Sequence, residues 1–295
     1  KAESRGLGDV YKRQVPDPYL IAFVTLGLFS FYYFYVTKKY LYLVLFYFFL
    51  ALGALSKGPI AIALPGLSVG LFILLQKELK NTFRYYPILG LLGIALIVVP
   101  WFWQVHLKSD GLWTQGFFFD HNVSRFSAPM EGHGGSFLVT WGFVFLGLLP
   151  FSFFIPQAFR HAWRERTNPA LAFTGCVAVV FIVFFSISST KLPNYTMPCY
   201  AFITLLLGSF FTKKMDVGFS RWDMVSVLLL SLLAMALPVV AHVGMQQEVS
   251  LISLSHVAFG LVPTAIGTLL GLLFYIRKKT AAFLLTTTFS WGMLL

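Results

Sequence analysis

The chain has only two cysteines, Cys176 and Cys199, and both lie within apolar runs, so no disulfide framework organises it. Charge is sparse as well. Charged residues make up 11% of the chain, and none falls in the middle of an apolar run. His242 and His256 sit near the ends of theirs. Ion-coupled transporters place ionisable groups close to the bilayer midplane, so this absence weighs against a pump or channel. The apolar runs do not alternate with polar residues, which excludes a membrane β-barrel. There is no glycine-rich nucleotide motif, internal repeat or low-complexity segment. The residues Lys1–Gln14 lack the apolar core of a signal peptide.

What the chain does have is length of hydrophobic run. A helical crossing needs about 20 apolar residues. The segments Leu20–Val36, Tyr40–Leu55, Ile60–Leu75, Pro87–Trp103, Phe137–Phe159, Leu171–Ile187, Tyr195–Phe211, Met224–Val243 and Leu254–Ile276 read as spans, and Ala281–Leu295 begins a further one. Several are short, which predicts tilt or local thinning. The expected fold is all-α: a polytopic transmembrane helical bundle.

Net charge is +11, which on its own would suggest nucleic acid. Its distribution points elsewhere. Every second loop is basic: Lys38-Lys39; Lys77, Lys80 and Arg84; Arg160, Arg164 and Arg166; Lys213, Lys214 and Arg221; Arg277-Lys278-Lys279. The loops between them carry few cations. This is the positive-inside pattern, so basic loops are cytoplasmic and the segment before Leu20 is outside. Nucleic acid is not an expected partner; membrane lipids are.

Most connections are short, as between antiparallel neighbours in a bundle. The exception is the outer loop 104–136, where Leu112, Trp113, Gly116, Phe117, Val123 and Phe126 recur at helical spacing. An amphipathic helix lying on the outer membrane face is expected there, with His121 and Arg125 on one side of it. Gly66/Gly70 and Gly267/Gly271 predict close helix packing. Trp101, Trp103 and Trp113 read as interfacial anchors, and Pro150 and Pro156 predict a kink within Phe137–Phe159. Residues 1–14, which include the adapter-like Gly6–Gln14, are expected to be a non-native leader. Residues 15–295 are read as one transmembrane domain cut at both ends.

Polar groups gather on the outer side. In Ser188-Ser189-Thr190-Lys191-Leu192-Pro193-Asn194-Tyr195, a lysine and a tyrosine flank a helix start at Pro193. The free N–H groups and positive dipole of such a start favour an anion, and lipids supply the nearest phosphates. Ser56-Lys57-Gly58-Pro59 repeats the arrangement. Arg125 offers a fork suited to phosphate oxygens, and Asp17 precedes the first span. Each has a plainer alternative. Lys57 also reads as a solvated hairpin residue, Arg125 as a partner of Asp120 or of headgroups, Lys191 as a snorkelling lysine, and Asp17 as a turn residue. His106, His121 and His133 with Asp120 and Glu131 could hold a divalent metal, but their spacing matches no standard zinc signature. No cofactor is otherwise implied. Asn122-Val123-Ser124 and Asn194-Tyr195-Thr196 fit the glycosylation pattern, which matters only in a eukaryotic secretory pathway.

These residues carry a resemblance. Pro16-Asp17-Pro18-Tyr19-Leu20, Ala54-Leu55-Ser56-Lys57-Gly58-Pro59, Pro100-Trp101, Phe117–Phe126, Gly147–Ser152 and Ser189–Tyr195 occur in an order and spacing that resembles the bacterial lipid-linked sugar transferases of the aminoarabinose lipid A transferase type. These are relatives of the dolichyl-phosphate-mannose protein mannosyltransferases, and the fold is GT-C. The resemblance runs from about Val15 to Phe211. It implies an inverting transfer of a sugar from a polyprenyl-phosphate donor to a lipid A, protein or other glycan acceptor at the outer face of the bacterial inner membrane. It implies a catalytic aspartate in an outer loop upstream of this sequence, so this piece alone is expected to be inactive. Asp17 matches a second carboxylate. Arg125, Lys191 and Tyr195 match positions associated with the donor phosphate and outer cavity; Lys57 matches a recurring lysine. A metal in some relatives keeps His121 as a candidate ligand. The alternatives are a lipid or oligosaccharide flippase and a non-catalytic scaffold.

Overall fold

A computed structural model describes residues 17–117, 135–248 and 251–292. Among these every regular element is helical. The helices are α1 (Asp17–Thr37), α2 (Tyr40–Lys57), α3 (Ile60–Leu75), α4 (Pro87–Lys108), the single turn α5 (Leu112–Gln115), α6 (Phe137–Gly147), α7 (Ile155–Arg164), α8 (Pro169–Ile187), α9 (Met197–Val217), α10 (Arg221–Gln247), α11 (Val262–Ile276) and α12 (Thr280–Gly292). Short 3-10 turns at Leu79–Tyr85, Phe151–Phe154, Pro193–Thr196 and Ile252–Leu261 connect them. Among the described residues seven helical segments are long and apolar enough to cross a membrane, or eight if a bent pair counts as one. Their outward surfaces are apolar too, as lipid requires: Leu96 is 77% exposed and Leu232 66%. The chain is a multi-span membrane protein.

The chain divides into two compact units. The first holds residues up to Val144 together with Glu165–Ile203. Its core is aromatic. Phe31 packs against Phe46 and Phe173, Phe72 meets Phe173 edge-on, and Phe29 stacks on Phe202. Pro169 opens α8, and the Asn168 side chain accepts from Ala170 N–H to cap it. Close helix approach occurs at Gly90, where a Cβ would lie 2.1 Å from the Tyr47 ring.

The second unit holds Phe145–Arg164 and Thr204–Leu295. Phe154 lies at its centre, fully buried against Phe211 and Phe283. A capping box starts α10: Asp223 accepts from the Ser220 backbone N–H, and Ser220 in turn caps the first turn. Helices α11 and α12 approach closely through glycine. A Cβ on Gly267 or Gly271 would meet Ser290 at 2.3 Å or Thr287 at 2.7 Å.

Two expectations need correction. Phe137–Phe159 is a broken helix rather than one continuous helix with a kink. The chain breaks after Gly147 and bends by 117° before Phe151–Arg164. Proline at 150 lacks the N–H a continuing helix requires, and it disfavours the helical conformation at the residue before it. Gly66 and Gly70 have no neighbouring atom within 4 Å of a Cβ, so the packing expected of them is not made.

Candidate functional site

The site is assembled in the first unit from the start of α1, the end of α2 and the connection from α8 to α9. Asp17 occupies the first turn of α1, where the helix dipole favours a carboxylate, and is 5% exposed. Lys57 is the last residue of α2. Gly58 follows with φ +82° and ψ −156°, a conformation open only to glycine, and this turns the chain sharply into α3. The turn leaves Lys57 directed at Asp17, with which it forms an ion pair. The Asn194 amide donates to the other Asp17 carboxylate oxygen. Lys57 Nζ also lies 4.8 Å from the centroid of the Tyr195 ring, within cation–π range. Tyr195 leans on Phe185, ring centroids 5.0 Å apart. A carboxylate, an ammonium, an amide and a phenol from three separate segments therefore meet at the ends of their helices.

Lys191 is placed differently. It is 6% exposed, and its Nζ donates to the carbonyls of Ser188 (2.7 Å), Ser186 (2.9 Å) and Phe185 (3.4 Å). Those carbonyls are at and just beyond the C-terminal end of α8, where the dipole is negative and acceptors lack helical partners. Burial pushes the Lys191 pKa below its ordinary value. All three donors are engaged, so Lys191 fixes the connection that carries Asn194 and Tyr195. Thr196 reinforces the same connection: its hydroxyl donates towards Tyr200 Oη, and Tyr200 donates to the Phe143 carbonyl at 3.0 Å.

Of the residues singled out in the sequence, Asp17, Lys57 and Tyr195 are brought together and Lys191 lies behind them. Arg125 and His121 fall outside the described residues, as do most of the segment where an outer-loop helix is expected and residues 1–14. His106 is bonded to Thr114 at 3.1 Å. Among the described residues no three His, Cys, Asp or Glu side chains form a metal-binding group. Asn194 joins the cluster without a signal of its own in the sequence. It lies within the Ser188–Tyr195 stretch, but nothing in the sequence ties it to Asp17, 177 positions away.

Comparison with known proteins adds the following. Residues 14–114 match the family model for dolichyl-phosphate-mannose-protein mannosyltransferase. The undecaprenyl phosphate-alpha-4-amino-4-deoxy-L-arabinose arabinosyl transferase of Aeromonas salmonicida is 30% identical over 171 residues, covering 58% of this chain and 31% of that protein. The protein of the same name from Pectobacterium atrosepticum is 33% identical over 159 residues, 54% of this chain and 28% of its own length. The crystal structure of ArnT from Cupriavidus metallidurans bound to undecaprenyl phosphate superposes with a TM-score of 0.71 at 22% identity, covering 93% of this chain and 50% of that one. Its apo form gives 0.68. The chain thus spans about a third of the length of the curated relatives it matches and half of the solved chains. The structural match shows the fold, a polytopic membrane bundle of the GT-C kind expected from the sequence.

Proposed function

We propose that the chain forms part of a membrane glycosyltransferase. It would move a sugar from a polyprenyl-phosphate donor to a lipid A, protein or other glycan acceptor at the outer face of a bacterial inner membrane. The meeting of Asp17, Lys57, Asn194 and Tyr195 carries this reading. The names of the similar proteins supply the substrate class.

In such a transfer the anomeric carbon's bond to the donor phosphate oxygen breaks as its bond to the acceptor oxygen forms. The acceptor hydroxyl gives up its proton to a carboxylate. Negative charge grows on the departing phosphate. Lys57 is the cation proposed to face it, with the Tyr195 phenol beside it and Arg125 of the outer loop as a second cation. Preorganised charge at that point lowers the barrier. Asp17 already holds Lys57 and Asn194, so its proposed part is to aim the lysine. Lys191 holds the segment rather than the phosphate. The polar groups collect at helix ends and not within spans, which favours an enzyme over a flippase.

The test is binding. The purified chain in detergent should retain undecaprenyl phosphate in native mass spectrometry. Asp17→Asn/Lys57→Gln, which removes both charges without stranding either, should weaken it about tenfold, or about 1.4 kcal/mol. Equal retention by the double variant would remove Lys57 from the phosphate site.

A further inference from the structure

The second unit contains a cationic cleft that the transferase reading does not use. Its volume is about 360 Å³. Arg160 and Arg164 of α7 form one wall, being four apart on one helix face. Lys213 and Lys214 at the end of α9 form the other, with Trp222 of α10 also lining the cleft. Lys214 is neutralised by Asp223, 2.8 Å away. Arg160 and Arg164 make no ion pair with any described residue. The cleft therefore carries uncompensated positive charge.

A second observation points to a ligand with a donor as well as an anion. Gln157, which also lines the cleft, donates through Nε2 to Ser226 Oγ at 2.6 Å. Ser226 Oγ itself donates to the Phe153 carbonyl, so the amide orientation is fixed. That leaves Gln157 Oε1 as a buried acceptor with no partner. An orphaned buried acceptor is costly; this oxygen is closed off from the cleft, so a hydroxyl donor would reach and satisfy it only once the Gln157 side chain shifts.

The surroundings are those of a membrane surface. Helix α7 buries Ala158, His161 and Ala162 while Arg160, Trp163 and Arg164 stay exposed. Such a helix lies in the interfacial plane. Trp163 and Trp222 are 62% and 71% exposed, as indoles at headgroup level are. Both cationic walls come from loops that the charge alternation assigns to the cytoplasmic side, where anionic lipids attract them.

We propose that this cleft binds the headgroup of an anionic, hydroxyl-bearing phospholipid of the phosphatidylglycerol type. The phosphodiester would sit against Arg160 and Arg164, and on binding the Gln157 side chain would shift to let a glycerol hydroxyl donate to its Oε1. The site stands independently of the transferase reading.

The full chain in mild detergent would be titrated with short-chain phosphatidylglycerol, phosphatidic acid and phosphatidylcholine, and with glycerol 3-phosphate, with bound adducts counted by native mass spectrometry. Phosphatidylglycerol should bind in preference to phosphatidylcholine. Arg160→Gln/Arg164→Gln should weaken it at least tenfold, while Lys278→Gln/Lys279→Gln, in another basic loop, should not. Gln157→Leu should narrow the preference for phosphatidylglycerol over phosphatidic acid. The three altered sets are mostly surface residues, and matched thermal unfolding checks that each protein is folded. Equal weakening in the Lys278/Lys279 control would overturn the proposal in favour of diffuse charge. Displacement of the lipid by glycerol 3-phosphate at equal concentration would overturn the lipid assignment in favour of a soluble phosphate ester.

Discussion

At the scale of single residues, Lys57 and Lys191 show how the same side chain does different work. Both precede a proline by two residues. Lys57 pairs with a carboxylate near an aromatic face, whereas Lys191 is folded back onto carbonyls. The two should therefore respond differently to mutation. Lys57→Gln alone strands the buried Asp17 carboxylate and should cost about 3 kcal/mol, most of it recovered in Asp17→Asn/Lys57→Gln. Thermal unfolding of the three proteins in one detergent measures this, and a double variant no more stable than the single would show that the pair is not coupled. Lys191→Met leaves α8 carbonyls unpaired and should cost about 2 kcal/mol by the same measurement. Lys191 also predicts a pH effect of definite sign. Its folded pKa lies below the ordinary 10.5, so between the two values the unfolded chain binds the proton more strongly. The contribution of Lys191 to stability is least below the folded value and rises with pH towards 10.5. The melting-temperature difference between the parent and Lys191→Met should accordingly shift towards the parent as pH is raised. A shift the other way would mean that hydrogen bonding to the ammonium outweighs its desolvation.

At the scale of elements, most helices could be read from the chain because a membrane span is defined by length and hydropathy. The ends of α2, α3, α4 and α8 fall within a few residues of the apolar runs. Hydropathy carries no direction, however. The run Phe137–Phe159 looks continuous although its axis turns by 117°, and only Pro150 and Pro156 hint at a break. The same limit explains the candidate site. Topology put Asp17, Lys57 and Tyr195 at one level, but their contacts and the role of Asn194 depend on which helices are neighbours. Glycine spacing has the same ambiguity. Gly66/Gly70 and Gly267/Gly271 are identical patterns, yet only the second pair faces a helix. Gly90 makes a sharper test. Its missing Cβ leaves room for the Tyr47 ring, which is held by a 2.7 Å bond from its hydroxyl to the Tyr85 carbonyl. Gly90→Ala should lower stability by about 1–3 kcal/mol through overpacking. Gly93→Ala, one turn on with open space around it, should be neutral or slightly stabilising. Comparable melting of the two variants would place Tyr47 elsewhere.

At the scale of the whole molecule, the distribution of charge and the distribution of candidate sites make one argument. Alternate loops are basic, and the Asp17–Lys57 cluster belongs to the poorly charged set while Arg160, Arg164 and Lys213 belong to the basic set. If basic loops are retained in the cytoplasm, the proposed sugar-donor site faces outward and the proposed headgroup cleft faces inward. A single orientation thus has to satisfy two independent chemistries. It also requires α3 to cross, although Ile60–Leu75 has only 16 residues, about 24 Å at 1.5 Å per residue, so thinning or anchoring by flanking polar residues must accommodate it. Cysteine labelling tests the orientation directly. The native Cys176 and Cys199 are buried, so they give little background. In intact cells an impermeant maleimide should label Gln247→Cys, at the end of α10, and leave Lys278→Cys untouched; inside-out vesicles should reverse the pattern. Labelling of Lys278→Cys from outside would turn the molecule over, and with it both the outward assignment of the Asp17–Lys57 cluster and the choice of an inner-leaflet lipid for the cleft.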